Sequence, residues 1–166
     1  MTEKMPYRND VREKLAGGGH VKGTFLCNAS AAVVEMMGYA GLDFVVIDTE
    51  HAPAGYETVE NMIRAAEVSG VAPFVRVAEN GPVHIGRALD LGAAGVVVPQ
   101  VNSTAEAVAA VRAARFAPQG DRGLAGIVRG ARYGFAPVAD FTSGSNANVM
   151  VIVQIEHVAA VADLDG

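Results

Sequence analysis

Phe44-Val-Val-Ile-Asp-Thr-Glu-His51 decides the fold. Four apolar residues in a row, without alternation, read as a strand buried on both faces, the kind that builds parallel sheets. The polar cluster at its carboxyl end reads as a rim where chemistry collects. Pro73-Phe-Val-Arg-Val77 and Val149-Met-Val-Ile-Val-Gln-Ile-Glu156 repeat the design, each carrying polar residues at or near the same end.

Outward from these runs, short apolar segments alternate with helical ones, the signature of βα units. Strands are expected at 21–27, from 44 to 48 or 49, and at 73–77, 95–98 and 149–155. Ser30 opens a helix through Met37, stopped around Gly38 and Gly41. A helix over 56–69 carries Val59, Met62, Ile63 and Ala66 as one apolar stripe, with Gly70 as its left-handed stop. Pro82 starts the next helix, which stops at Gly92. Ser103-Thr-Ala-Glu106 is a capping box opening a helix to about residue 116. Residues 117–148 lack periodicity and are expected to be a long functional loop, and a helix begins after Glu156.

Five such units point to a TIM (β/α)8 barrel, of which this chain would be the first five-eighths, because the closed fold takes about 250 residues. A fragment of a longer enzyme is the expectation. A doubly wound sheet would want a glycine fingerprint after the first strand, and Cys27-Asn-Ala-Ser30 has none. Residues 1–20 read as a polar arm, a short solvated helix and a glycine hinge, and 21–166 as the barrel domain.

The 51% hydrophobic content suffices for a sizeable core, and the net charge of −5 argues against nucleic-acid or anionic-membrane partners in favour of a small molecule. No apolar run reaches the roughly 18–20 residues of a membrane span, and no secretory leader is seen. Cys27 is the only cysteine, so an internal disulfide is excluded; it reads as a small buried residue of the first strand, in a cytoplasmic protein.

Asp48, Glu50 and His51 crowd one strand end, which suggests function, although a solvated loop with a helix cap would also produce them. Arg76 inside an apolar strand needs an anion opposite, either a substrate or an ion-pair partner such as Asp48 or Glu156. Gln154 and Glu156 are two apart and share a face; Glu156 reads either as an oxygen ligand for a divalent metal ion or as that partner. Arg122, Arg129 and Arg132 could bind an acidic substrate or order their loop by pairing with carboxylates. The other histidines, His20, His84 and His157, read as surface or cap residues. The lysines are Lys4, Lys14 and Lys22, none at the active rim, so Schiff-base chemistry is disfavoured and an enolate would need a metal or an arginine.

Asp48-Thr-Glu-His-Ala-Pro53, Val75-Arg-Val77, Val97-Val-Pro-Gln-Val101 with Gln119-Gly-Asp-Arg-Gly123, and Gln154-Ile-Glu156 together resemble the HpcH/HpaI aldolase family over about residues 23–156. The resemblance implies a metal-dependent class II aldolase that cleaves a 4-hydroxy-2-oxo acid to pyruvate and an aldehyde with Mg2+, Mn2+ or Co2+, in a homo-oligomer, a hexamer at full length. It makes His51 the general base and Arg76 the enolate-stabilising arginine. Asp90 becomes the aspartate that raises the histidine's basicity, within or across a subunit interface. Gln154 would bind the substrate, Glu156 the metal, and Asp48 would support the histidine loop. The family's second metal carboxylate, in a Gly-Pro-x-Asp segment, has no counterpart here, so weak metal binding and low turnover are expected of the 166 residues. Rival readings are a citrate lyase β-like CoA-ester lyase and a non-catalytic half-barrel held by association.

Overall fold

The computed structural model describes residues 9–164. Five strands, β1 (Gly23–Leu26), β2 (Phe44–Asp48), β3 (Ala72–Arg76), β4 (Gly95–Val98) and β5 (Met150–Val153), form one sheet in sequence order, every pair parallel. Helices connect them: α2 (Ala31–Tyr39), α3 (Tyr56–Ser69), α4 (Pro82–Asp90), then α5 (Thr104–Ala114) and α6 (Val138–Asn148), with α7 (Val158–Ala162) after β5. Parallel neighbours in sequence order with a helix in each crossover are the first five βα units of a TIM-type barrel. Among the described residues, no helix is long and apolar enough to cross a membrane.

The apolar runs of β2, β3 and β4 are continuous because both faces of these central strands are covered, whereas the edge strands β1 and β5 leave Phe25 and Ile152 exposed. Val45, Ile47, Val75, Val96 and Val98 pack outward with the helices, whereas Val46, Phe74 and Val97 form an inner cluster with Val11. Phe74 is 1% exposed; burying such a side chain contributes about 2–3 kcal/mol. The stripe of α3 is buried as its spacing predicts, and Gly70 closes the helix at φ 78°. Ser30 caps α2 by accepting from the Val33 N–H at 3.4 Å.

The amino-terminal helix α1 (Asp10–Ala16) is less solvated than its composition suggests. Val11 is 4% exposed, and the buried Asn9 donates through Nδ2 to the carbonyls of Ala94 (3.0 Å) and Asn148 (3.1 Å). The helix thereby closes the amino-terminal mouth of the sheet. Residues 1–8 of the expected arm lie outside the described residues.

Three expectations need correction. Residues 117–148 are not one loop: a 3-10 turn (Arg129–Gly134) and the eleven-residue α6 lie inside them. Phe-Thr-Ser-Gly-Ser-Asn-Ala-Asn carries no stripe, because α6 buries only Phe141 and Ser145. Cys27 is exposed: it follows β1 on the face of Phe25, which is exposed although it lies within the strand. In the capping box, Ser103 Oγ accepts from the Glu106 N–H at 3.3 Å, but Glu106 Oε2 accepts from the N–H of Asn102, one position further back.

Candidate active site

Asp48 and Arg76 end β2 and β3 and are direct partners in the parallel register. Their side chains project to the inner face, so the carboxylate and guanidinium meet: Nε donates to Oδ1 at 3.0 Å and Nη2 to Oδ2 at 2.7 Å. The Asp48 side chain is fully buried and Arg76 is 12% exposed. The ion-pair reading of Arg76 therefore holds with Asp48, and Arg76 also keeps an edge toward the open rim. Phe25 lies under it, ring centroid 5.0 Å from Cζ.

Asp48 does a second job. Its Oδ1 also accepts from the N–H of Glu50 (3.0 Å) and of His51 (3.3 Å), turning the chain sharply after β2. Burial pushes its pKa up, but the hydrogen bonds from Arg76 and from these two N–H groups outweigh it and bring the value down to about 2. The same bond to Asp48 raises the pKa of Arg76. An ionised carboxylate thus locks the arginine and the histidine loop together.

Glu50 is the hub. Its Oε2 lies 3.3 Å from Arg76 Nη1, and its Oε1 lies 3.8 Å from His51 Nε2 and 3.5 Å from Gln100 Nε2. Gln100 in turn donates its backbone N–H to Glu156 Oε2 at 2.8 Å. His51, Arg76 and Glu156 therefore belong to one chain of contacts. His51 projects into solvent, its side chain 69% exposed. Sequence reasoning placed Glu50 in the polar cluster but gave it no role, and gave Gln100 none; the direction of a loop side chain has no signature in composition.

Gln154 and Glu156 lie just past β5, not on it. Ladder-like bonds continue through Gln154, whose N–H donates to Val98 O at 2.9 Å while its carbonyl accepts from Val101 N at 3.2 Å. Alternation from Met150, which packs on the inner cluster, turns Gln154 inward. Its Oε1 is buried and accepts no hydrogen bond. Its amide oxygen, like the carboxylates of Glu50 and Glu156, is a hard donor of the kind that Mg2+ or Mn2+ prefers. Among the described residues, no three His, Cys, Asp or Glu side chains form a cage around a cation.

Asp90 is elsewhere. It ends α4, which runs antiparallel to the strands, so it sits at the opposite rim from His51. There it accepts from Arg122 Nη2 at 2.7 Å. Arg122 is itself buried over the rings of Phe116 and Phe141 and donates to Ser145 Oγ, and Arg129 pairs with Glu67 at 2.6 Å. The loop-ordering reading of these two arginines is the one realised. His157 caps α7 through Nδ1, and His84 sits at the surface between Tyr56 and Glu79.

The geometry can therefore fix a guanidinium beside an open imidazole and three carboxylates, Asp48, Glu50 and Glu156, at the carboxyl rim of a parallel sheet. Known proteins share this chain's pattern. The 2-dehydro-3,6-dideoxy-6-sulfogluconate aldolase of Pseudomonas putida is 41% identical over 143 residues, covering 86% of this chain and 55% of the relative. The 5-keto-4-deoxy-D-glucarate aldolase of Salmonella paratyphi A is 36% identical over 159 residues, covering 96% and 61%. The chain thus spans under two thirds of these relatives' length. The crystal structure of a HpcH/HpaI aldolase/citrate lyase family protein from Burkholderia cenocepacia J2315 superposes with a TM-score of 0.87 at 34% identity, covering 95% of this chain and 63% of that one. The family model for HpcH/HpaI aldolase/citrate lyase matches residues 22–166. With the model spanning nearly the whole chain and the fold shared, the protein belongs to the HpcH/HpaI aldolase/citrate lyase family.

Proposed function

We propose that the protein is a metal-dependent class II aldolase that cleaves a 4-hydroxy-2-oxo acid to pyruvate and an aldehyde. The observation that carries this is Glu50 linking Arg76, His51 and, through Gln100, Glu156. Glu156, with Gln154 and Glu50 beside it, would hold Mg2+, Mn2+ or Co2+. Three carboxylates against one guanidinium leave an excess of formal negative charge that suits a divalent cation. When bound, the cation supplies Lewis acidity toward the 2-oxo group.

The remaining work falls to side chains. Retro-aldol cleavage needs the 4-hydroxyl proton removed and the enolate oxygen held. His51, exposed on a loop anchored by Asp48, takes the proton at its imidazole nitrogen. Arg76 is held rigid by Asp48 and turns its remaining N–H groups to the enolate oxygen. Gln154 orients the 2-oxo acid. Asp90 lies too far around the molecule to serve His51 of its own chain, so its action on a histidine would require a homo-oligomer.

A cytoplasmic enzyme with residues 21–166 as its barrel unit completes the reading. Both named relatives are aldolases of deoxy keto sugar acids, which favours a sugar-derived 2-oxo acid as substrate. A CoA-ester lyase would want free basic groups for the nucleotide, whereas Arg122 and Arg129 are already paired. The test is exchange of the pyruvate methyl protons in D2O, followed by NMR, beside pyruvate release from 5-keto-4-deoxy-D-glucarate. Exchange should require Mn2+ and vanish in Arg76→Ala. Exchange that survives chelation or Arg76→Ala defeats the proposal.

A further inference from the structure

Arg76 is held on three sides, and only two of them are charged. Asp48 grips one edge of the guanidinium with two bonds, from Nε at 3.0 Å and from Nη2 at 2.7 Å. Glu50 Oε2 stands 3.3 Å from Nη1, yet this buried oxygen accepts no hydrogen bond. Nη1 is therefore close to a carboxylate without being spent on it. The third side is Phe25, whose ring centroid lies 5.0 Å from Arg76 Cζ. In the β1–β2 register Phe25 pairs with Val46, two residues before Asp48, so its ring lies one level beneath the ion pair on the same face. Strand β2 separates β1 from β3, and Arg76 reaches across it to rest on that ring.

A guanidinium gripped along one edge by a carboxylate keeps one soft motion, a hinge about the line of those two bonds. That hinge carries Nη1 out of the plane set by Asp48. An aromatic face within about 6 Å attracts the cation and blocks the hinge on its own side. We propose that Phe25 is a positioning residue: its ring holds the plane of Arg76 at the tilt that leaves Nη1 unbonded to Glu50 and free for a substrate oxyanion. This rests on Arg76 being the group that holds the enolate oxygen. An N–H already aimed needs no reorganisation as negative charge develops, so the contribution of the ring falls on the chemical step more than on substrate binding.

Exchange of the pyruvate methyl protons by the full chain tests this in Phe25→Leu, in Phe25→Tyr and with Phe25 replaced by phenylalanine carrying one, two or three ring fluorines. Fluorine nearly keeps the shape of the ring but drains the negative potential of its face, so a merely structural role does not follow the number of fluorines. The limiting rate should fall stepwise along that series and about five- to tenfold in Phe25→Leu, with KM nearly constant, and Phe25→Tyr should restore it. In a 15N-correlated spectrum the Arg76 Nε–H, shifted upfield by the ring, should move downfield in Phe25→Leu. Should the leucine variant not fold, the fluorinated series decides. A rate that is flat across the fluorines, or an Arg76 Nε–H resonance indifferent to Phe25→Leu, overturns the proposal. Exchange that depends on Arg76 but not on the ring removes Phe25 alone. Exchange that is absent from the parent chain, or independent of Arg76, defeats the aldolase reading itself, and the positioning role falls with it.

Discussion

Asp48→Asn removes a charge and leaves the shape. Asp48 is wholly buried and makes two bonds to Arg76, at 3.0 and 2.7 Å, besides accepting two loop N–H groups. Removing one partner of a buried pair costs about 3–5 kcal/mol. Glu50 still stands 3.3 Å from Arg76 Nη1, and an asparagine oxygen still accepts the loop N–H groups, so about 2–3 kcal/mol is expected. The pH dependence follows from the folded pKa of about 2, below the ordinary 3.8. A depressed carboxylate pKa gives stability that is complete above the unfolded value and lost as pH falls toward the folded one. Between pH 6 and pH 3 the wild type should lose roughly 1 kcal/mol from this group, less where rim solvent screens it. Urea unfolding followed by circular dichroism at pH 6 and pH 3 measures both quantities. The gap between wild type and Asp48→Asn should be wide at pH 6 and narrower at pH 3. A gap under about 1 kcal/mol at pH 6, or one that does not change with pH, would refute the argument.

Gly38→Ala should lower stability by about 1–2 kcal/mol, because the new Cβ would run into Ser69 where α2 crosses α3; a melting temperature that stays or rises contradicts this packing. Arg122→Met should cost about 2–3 kcal/mol by leaving Asp90 without its partner and Phe116 without its cation, and calorimetric unfolding at neutral pH would show it. Phe74→Ala should cost about 3–5 kcal/mol, since the ring is 1% exposed at the centre of the inner cluster; a loss below 1 kcal/mol would mean the inner face is wet. Glu50→Gln should reduce the Arg76-dependent exchange of pyruvate protons about 10–100-fold with little change in unfolding midpoint, and full activity would remove Glu50 from the site.

The barrel strands were legible because a strand buried on both faces must be continuously apolar, and nothing else in a chain of this length competes for Phe44-Val-Val-Ile or Gly95-Val-Val-Val. Helix α3 was legible for the complementary reason, an apolar stripe with a polar back. Helix α6 was hidden, since a helix that buries only Phe141 and Ser145 needs no stripe. At the rim, Asp48 and Arg76 could be matched because equivalent strand ends become neighbours in a parallel register. Loop residues follow no such rule. Glu50 and Gln100 owe their positions to a turn held by Asp48 and to a left-handed backbone, both products of tertiary contacts. Cys27 was misplaced because β1 is an edge strand whose Phe25 face stays open, which an apolar run in sequence does not reveal.

The clamp made by Asn9 has a consequence for how the chain is born. Its two acceptors are separated from it by 85 and 139 residues. At about 5–20 residues per second, a ribosome needs roughly 7–28 seconds to deliver Asn148 after Asn9. During that interval α1 has half of its anchorage unmade and Val11 lacks a complete cover. A segment made 139 residues before its second acceptor is thus among the last to settle, and a chaperone or a slow codon upstream of residue 148 would act on that waiting period.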